Sequence, residues 1–243
     1  MNNYDPVPGR LYRLRMALVK AFDRLCQIPR WRTLDRVLAR AVEQKKDWFF
    51  VQIGANDGVI YDPIHRFVQA SNWRGVLVEP VRSHFDKLKQ NYRSNHRLIF
   101  ENVAISKSRE TREFYRIGDD LPFLPEWTKG LGTFDRKVLM SHTWAIPDLE
   151  RYIVREAVEC IAFKDLLEKH RVRKIDLLLI DTEGYDYEIL EQIDFEAQAP
   201  SVLLYEHQYI ERSLRRKMES RLKARGYRLS HHFGNTLAYF PPT

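Results

Sequence analysis

Three groups of residues in this chain have types and spacings that could do chemistry. The first is 51-VQIGANDGVI-60, where an apolar run breaks into Gly54, Ala55, Asn56, Asp57 and Gly58. Glycines there let the backbone turn sharply and approach a ligand, and a following helix start offers free N–H groups. The second is Glu79, at the end of the next apolar run, 75-GVLVEP-80. A carboxylate at the C-terminal edge of a strand can accept bonds from both hydroxyls of a ribose. The full GxGxxG of dinucleotide sites is missing, and the polar Asn56-Asp57 pair suits a nucleoside cofactor without a pyrophosphate, which favours S-adenosylmethionine over NAD. The third group is Asp181 and Glu183 after 177-LLLI-180, with Glu206 and His207 after 202-VLLY-205.

Methyl transfer from a sulfonium to an alcohol oxygen is an in-line displacement that needs aligned atoms and a base for the hydroxyl proton. Asp181, Glu183, Glu206 and His207 are the candidates for that work, since open α/β sheets bind ligands at the strands' C-terminal edge. His207 is the one imidazole among them, with an ordinary pKa near neutrality. Glu183, followed by Gly184, has a second reading as a cap of the next helix, whose Asp186 and Glu188 suit its positive first turn.

The elements that must position these residues follow from periodicity. Strands are expected at 48-WFFVQIG-54, 75-GVLVEP-80, 98-LIFENVAI-105, 175-IDLLLIDTE-183 and 201-SVLLYEH-207, with helices over 62–73 and 83–94 between the first three. Apolar runs joined by helices predict a mostly parallel sheet covered on both faces. At the end, 227-YRLSHHF-233 and 236-TLAYF-240 flank Gly234-Asn235, a favoured hairpin turn, so an antiparallel hairpin should close the sheet. His231-His232 reads as ordinary strand, and 212-RSLRRKMESRLKARG-226 as a helix with a solvated basic face. Residues 106–160 are less regular, with Pro122, Pro125, Pro147, Gly130 and Gly132, and read as a lid or acceptor-binding insertion. Trp127, His142 and Trp144 within it have two readings, sugar-stacking faces or surface-loop packing.

Residues 51-VQIGANDG-58, 77-LVEP-80, 91-NY, 102-NVAI-105, 181-DTEGYDYEIL-190 and 203-LLYEH-207 together resemble the FkbM family of S-adenosylmethionine-dependent methyltransferases. The most specific piece is 181-DTEGYDYEIL-190, similar to the family's D-x-E-G-x-E-x-x-x-L with Asp186 in the last acidic place. The resemblance covers residues 48 to about 240. It implies a class I methyltransferase fold, a Rossmann-like doubly wound sheet with an antiparallel seventh strand. It also implies that Gly54, Ala55, Asn56 and Gly58 surround the methionine part of the cofactor and Glu79 the ribose, with Asn102 and Val103 by the adenine and Asp181 near the sulfonium. Asp181, Glu206 and His207 stand where metal-dependent O-methyltransferases of this fold carry ligands, so a Mg²⁺ or Mn²⁺ site is one expectation. A metal-free site that binds cofactor and substrate is the other. The acceptor implied is a hydroxyl of a sugar, glycolipid, oligosaccharide or secondary metabolite.

The charge separates the chain into parts. Its 243 residues carry +7, and residues 1–48 hold eleven Lys/Arg against five Asp/Glu while the remainder holds 29 against 28. Residues 1–46 are therefore expected to be a basic helical extension and 47–243 the methyltransferase domain. Leu11, Leu14, Leu18, Phe22 and Leu25 describe an amphipathic helix within residues 10–26, followed by another on Leu34, Leu38, Ala41 and Val42. Such helices dock on the main domain, on a second copy in a homodimer, or on an anionic membrane surface. A basic appendage also keeps open an RNA methyltransferase, although the near-neutral remainder and 181-DTEG-184 in place of an NPPY-type tetrapeptide make nucleic acid an unlikely partner. A non-catalytic binding protein on the same fold is the alternative from another class. Cys26 and Cys160 lie in no CxxC or His-bearing cluster, which argues against a disulfide framework or a thiolate zinc site. No apolar run approaches the roughly 20 residues of a membrane span. A cytoplasmic protein is expected, with contact at the inner face of the membrane through residues 10–26.

Overall fold

The computed structural model describes residues 32–43, 47–119, 121 and 123–241. The expected helix within residues 10–26 and Cys26 lie outside them. The order of elements is α1 (Arg32–Glu43), β1 (Phe49–Ile53), α2 (His65–Ala70), β2 (Arg74–Val78), α3 (Arg82–Asn91), β3 (Leu98–Glu101), β4 (Ala104–Ser106), β5 (Glu110–Ile117), β6 (Gly132–Thr133), α4 (Arg136–Met140), β7 (Ile153–Ala162), α5 (Phe163–Lys169), β8 (Leu177–Ile180), α6 (Asp186–Leu190), β9 (Val202–Glu206), α7 (Arg212–Ala224), β10 (Arg228–His232) and β11 (Asn235–Tyr239).

Seven strands form one sheet in the order β10-β11-β9-β8-β1-β2-β3. The five from β9 to β3 are parallel, and β11 runs antiparallel between β9 and β10. Side chains alternate across β1: Val51 and Ile53 enter one core with Leu178, Ile180 and Tyr205, and Phe50 enters the other with Leu77, Leu177, Leu179 and Leu204. Both faces are thus buried, as the continuous apolar runs predict. Helix α1 packs into the second of these cores through Leu34, Leu38 and Ala41, and Asp35 pairs with Arg66 of α2.

Two local expectations shift. The run 98–105 is two strands in different sheets, because the chain leaves β3 at Asn102 and Val103 and its continuation, β4, pairs with β7. Asn102 marks the departure: its amide donates to the carbonyls of Glu79 (2.8 Å) and Pro80 (2.9 Å). The hairpin turn lies one residue earlier than expected, at Phe233-Gly234, since His232 pairs with Asn235. Both turn residues have positive φ (33° and 87°), the combination a two-residue hairpin requires. Asn235 is consequently a strand residue, opposite Glu206 and buried.

Residues 106–160 are more regular than their composition suggests. Strands β5 and β7 pair antiparallel over their length, with β4 and β6 flanking them in a four-stranded second sheet. Short 3₁₀ turns at Glu126–Gly130, Ser141–Trp144 and Leu149–Tyr152 accompany α4, and Leu139, Ala145, Ile146 and Leu149 form a small core beneath them.

Candidate functional site

The site begins where β1 ends. The backbone N–H groups of Gly54 and Ala55 both donate to the Val78 carbonyl at 3.0 Å, which ties the loop to the end of β2. Gly54 has φ +81°, and a Cβ there would lie 1.8 Å from the carbonyl oxygen of Asp181. Only glycine fits, and the close approach brings Asp181 beside the loop; its N–H donates to the Ile53 carbonyl at 3.0 Å.

Glu79 holds the other side. Its Oε2 accepts from the N–H of Asn56 (2.9 Å) and its Oε1 from that of Val81 (2.8 Å). An ionised carboxylate has about four acceptor positions, so each oxygen keeps one for a ligand hydroxyl. Burial pushes its pKa from 4.5 up to about 7 against the opposing backbone bonds. Nearby His84, with Nδ1 at 3.8 Å from Oε1, is pulled down to about 4 by its own burial.

The third part sits on the ends of β8 and β9. Ligand atoms of Asp181, Glu183 and Glu206 all lie within 4.8 Å of one another, with Asp181 exposed, Glu183 half-buried and Glu206 buried. Asp186 underpins them. Its Oδ2 accepts from the N–H (3.2 Å) and hydroxyl (2.7 Å) of Thr182, and its Oδ1 from the N–H of Glu206 (3.1 Å), so one buried carboxyl ties both strand ends. Burial, then the neighbouring charge of Asp181, pushes the Asp186 carboxyl up. An oxygen-only trio suits Mg²⁺ or Mn²⁺ by donor type, and equally suits a positive sulfonium.

Two cavities meet over this edge. One, of about 50 Å³, is lined by Val78, Glu79, Val103, Phe134 and Tyr185. The other, of about 720 Å³, runs from Ala55 over Asp62, Leu179, Leu204, Glu206 and Tyr209. Gly54, Asn56, Gly130, Asp181 and Glu183 line both. The insertion roofs the pair. Phe134 stands edge-on to Tyr185 (5.1 Å between ring centres) with the Arg112 guanidinium 3.9 Å from its ring centre. Over the large cavity, Trp127 packs on His142 (5.4 Å), whose Nε2 lies 3.1 Å from the Tyr209 hydroxyl. Burial lowers the His142 pKa and keeps the ring neutral.

Some sequence-derived candidates turn elsewhere. His207 is outside the carboxylate trio and outside both cavities. Alternation along the strand end sends Glu206 and Gln208 to the large cavity and the His207 ring towards His231 (5.8 Å) and Thr236, whose hydroxyl is 2.8 Å from Nδ1. Burial and then Arg215 pull its pKa down to about 4. Glu183 stands in the expected set of acids and, in place of His207, clusters with Asp181 and Glu206; helix α6 has no side-chain cap at its N-cap residue, Tyr185. Asp57 turns back on its own loop, with Oδ1 accepting from the N–H groups of Val59 (2.9 Å) and Ile60 (2.8 Å). Gly58 packs beneath the loop towards Leu88 and Tyr92. Asn102 spends its amide on the Glu79–Pro80 turn, whereas Val103 does line the small cavity.

Sequence reasoning missed Gln52, Asp62, Phe134 and Tyr209. Gln52 had a visible signal, a lone polar residue within the apolar run of β1, since a buried polar residue is the informative kind.

A sheet of this order, with its inserted antiparallel strand and a ligand cleft at the ends of the parallel ones, is that of class I methyltransferases. The chain belongs to the FkbM methyltransferase domain family, whose match spans residues 52–229. Among solved structures it is similar to an FkbM methyltransferase from Methylobacillus flagellatus KT, at 13% identity and a TM-score of 0.50. That likeness covers 79% of this chain but 44% of the other, so the chain spans less than half the length of that relative. It is also similar to an O-methyltransferase from Bacillus cereus in complex with SAH, at 14% identity, a TM-score of 0.46 and coverage of 97% and 93%. No curated protein matches in sequence. Among the described residues no helix is long and apolar enough to cross a membrane.

Proposed function

We propose that the chain is an S-adenosylmethionine-dependent O-methyltransferase acting on a hydroxyl of a sugar, glycolipid or secondary metabolite. The observation that carries this reading is the meeting of two cavities at Gly54, Asp181 and Glu183. The small one, with the spare acceptor positions of Glu79 and the apolar face of Val103, suits a nucleoside. Its 50 Å³ holds only a few waters, so an adenosyl group would need Gly130, Gly132 and Phe134, which line it, to give way. Bound S-adenosylmethionine supplies an electrophilic methyl group on a positive sulfur. Asp181 lies where it favours that charge, and Glu183 and Glu206 line the larger cavity, where either can take the proton from an acceptor hydroxyl. Catalysis then rests on alignment and on a carboxylate base, with His207 outside the cavity.

The test is calorimetric titration with S-adenosylhomocysteine. Saturable binding to the unaltered chain is expected, weakened about 100-fold in Glu79→Ala, which removes two charge-assisted acceptors at once. No binding to the unaltered chain would remove the whole reading. Mass-spectrometric methyl transfer to candidate acceptors, run with and without EDTA, decides whether the carboxylate trio works with a divalent ion.

A further inference from the structure

A phenol stands between the insertion and the carboxylates. Tyr209, in the loop after β9, lines the large cavity. A Cβ at Gly184 would lie 3.6 Å from that of Tyr209 and 3.1 Å from the side chain of Val138 on α4, so the glycine beside Glu183 leaves room for both. The Tyr209 oxygen is 3.1 Å from Nε2 of His142. The other ring nitrogen, Nδ1, is 3.2 Å from the Val138 carbonyl, which can only accept. The neutral ring of His142 therefore carries its hydrogen on Nδ1 and needs a donor at Nε2. His142 is buried against Trp127, and the donor in reach is Tyr209.

The same hydrogen is wanted on the other side. Burial and then the charges of Glu183 and Glu206 push the Tyr209 hydroxyl up, and the Glu183 carboxylate also accepts a bond from it. A phenol donates one hydrogen, so either His142 or Glu183 goes short unless a further donor arrives. A ligand hydroxyl that donates to Glu183 removes the conflict and lets Tyr209 serve His142. The Tyr209 oxygen can itself accept two bonds; the Gln208 amide supplies one, and the second is left for a ligand. Glu183 lines both cavities and Tyr209 the large one alone, so a hydroxyl on Glu183 lies at the seam and a donor on Tyr209 lies beyond it. Two oxygens within hydrogen-bond reach of one another match hydroxyls on adjacent carbons, which lie about as far apart.

Resting on the reading of this cavity as the acceptor site, we propose that Tyr209, oriented by His142, is a specificity-determining residue that takes a hydroxyl from the carbon next to the one methylated, while Glu183 holds the hydroxyl that receives the methyl group. The acceptor is thereby a vicinal diol and not an isolated alcohol. The insertion contributes to this choice through His142, which sets where the Tyr209 hydrogen points.

The experiment is ligand-observed NMR on the full chain saturated with S-adenosylhomocysteine, with cyclohexane-1,2-diol, cyclohexane-1,4-diol and cyclohexanol as probes of similar apolar area. The tighter isomer of the 1,2-diol is expected to bind about tenfold better than either of the others, the worth of one well-placed hydrogen bond. Tyr209→Phe should bring the 1,2-diol down to the level of cyclohexanol and leave cyclohexanol within a factor of about two, a selective loss that a merely structural role would not give. Nitrogen NMR of the histidine rings should place the hydrogen of His142 on Nδ1. Equal binding of the two diols, no binding by the 1,2-diol, an unchanged 1,2-diol or an equal loss of cyclohexanol in Tyr209→Phe, or a His142 hydrogen on Nε2 would each overturn the proposal. If Tyr209→Phe does not fold, the two diols and the His142 signal of the unaltered chain still decide. Binding of S-adenosylhomocysteine to the unaltered chain, followed by calorimetry, reads the methyltransferase assignment separately.

Discussion

The two sides of the cleft are built by different means. On the β1–β2 side the rim of the small cavity is fixed by backbone contacts, beneath the Phe134 and Tyr185 rings: a positive-φ glycine against a carbonyl, two N–H groups on Glu79, an amide bracing a turn. On the β8–β9 side the large cavity is shaped by side chains, three carboxylates and a wall of aromatics delivered by the insertion. Backbone walls admit little variation in what they bind, whereas side-chain walls can be exchanged without disturbing the sheet. A constant cofactor and a variable acceptor call for that division.

The comparison breaks hardest at its seam. Gly54→Ala drives a Cβ into the Asp181 carbonyl from a backbone conformation alanine resists, and should cost roughly 4 kcal/mol or more, read by urea denaturation. A variant of near-native stability would show that the two loops are not locked together. Asp186→Ala removes the buried carboxyl beneath the acceptor side and strands the N–H of Glu206, for an expected loss of about 3 kcal/mol in the same assay.

Titration then separates the two sides. Glu79 is raised to about 7 in the folded chain, so the stability it contributes to the ligand-free protein is full below its ordinary 4.5 and lost as pH rises to about 7. Ribose hydroxyls prefer the ionised form, so affinity for S-adenosylhomocysteine should move the opposite way, rising by up to about tenfold per pH unit until that pKa is passed. Burial pushes Asp62 up to about 6, so it also shapes the stability curve; Glu79→Gln should flatten the affinity curve and remove only its own part of the stability curve. The smallest effect is expected from His207→Ala. Its ring faces the hairpin, so methyl transfer should fall no more than about twofold, where loss of a working general base costs about 100-fold or more.

Legibility in the sequence follows the same division. The glycine loop, Glu79, the acids after β8 and β9 and the terminal hairpin were readable because backbone constraints restrict residue type at fixed places. Periodicity could not reveal that 98–105 divides between two sheets, since both halves are equally apolar. Nor could it orient Glu206 against His207, because adjacent residues at a strand end point to opposite sides and the register depends on pairing with β11. The insertion's sheet was hidden for another reason. Strands β5 and β7 are only partly buried and carry charged residues among their apolar ones, so the apolar alternation that signals a strand is faint there.

The place of β11 bears on how the molecule assembles. Strand β10 pairs with β11, and β11 alone connects it to β9. The hairpin is local in sequence and can form early, yet the sheet is complete only when the pair docks on β9 as a unit. That docking also delivers Asn235 to the cleft opposite Glu206. An assembly intermediate lacking the hairpin would expose the whole edge of β9 and would be the species in which the chain is most open to pairing with another copy.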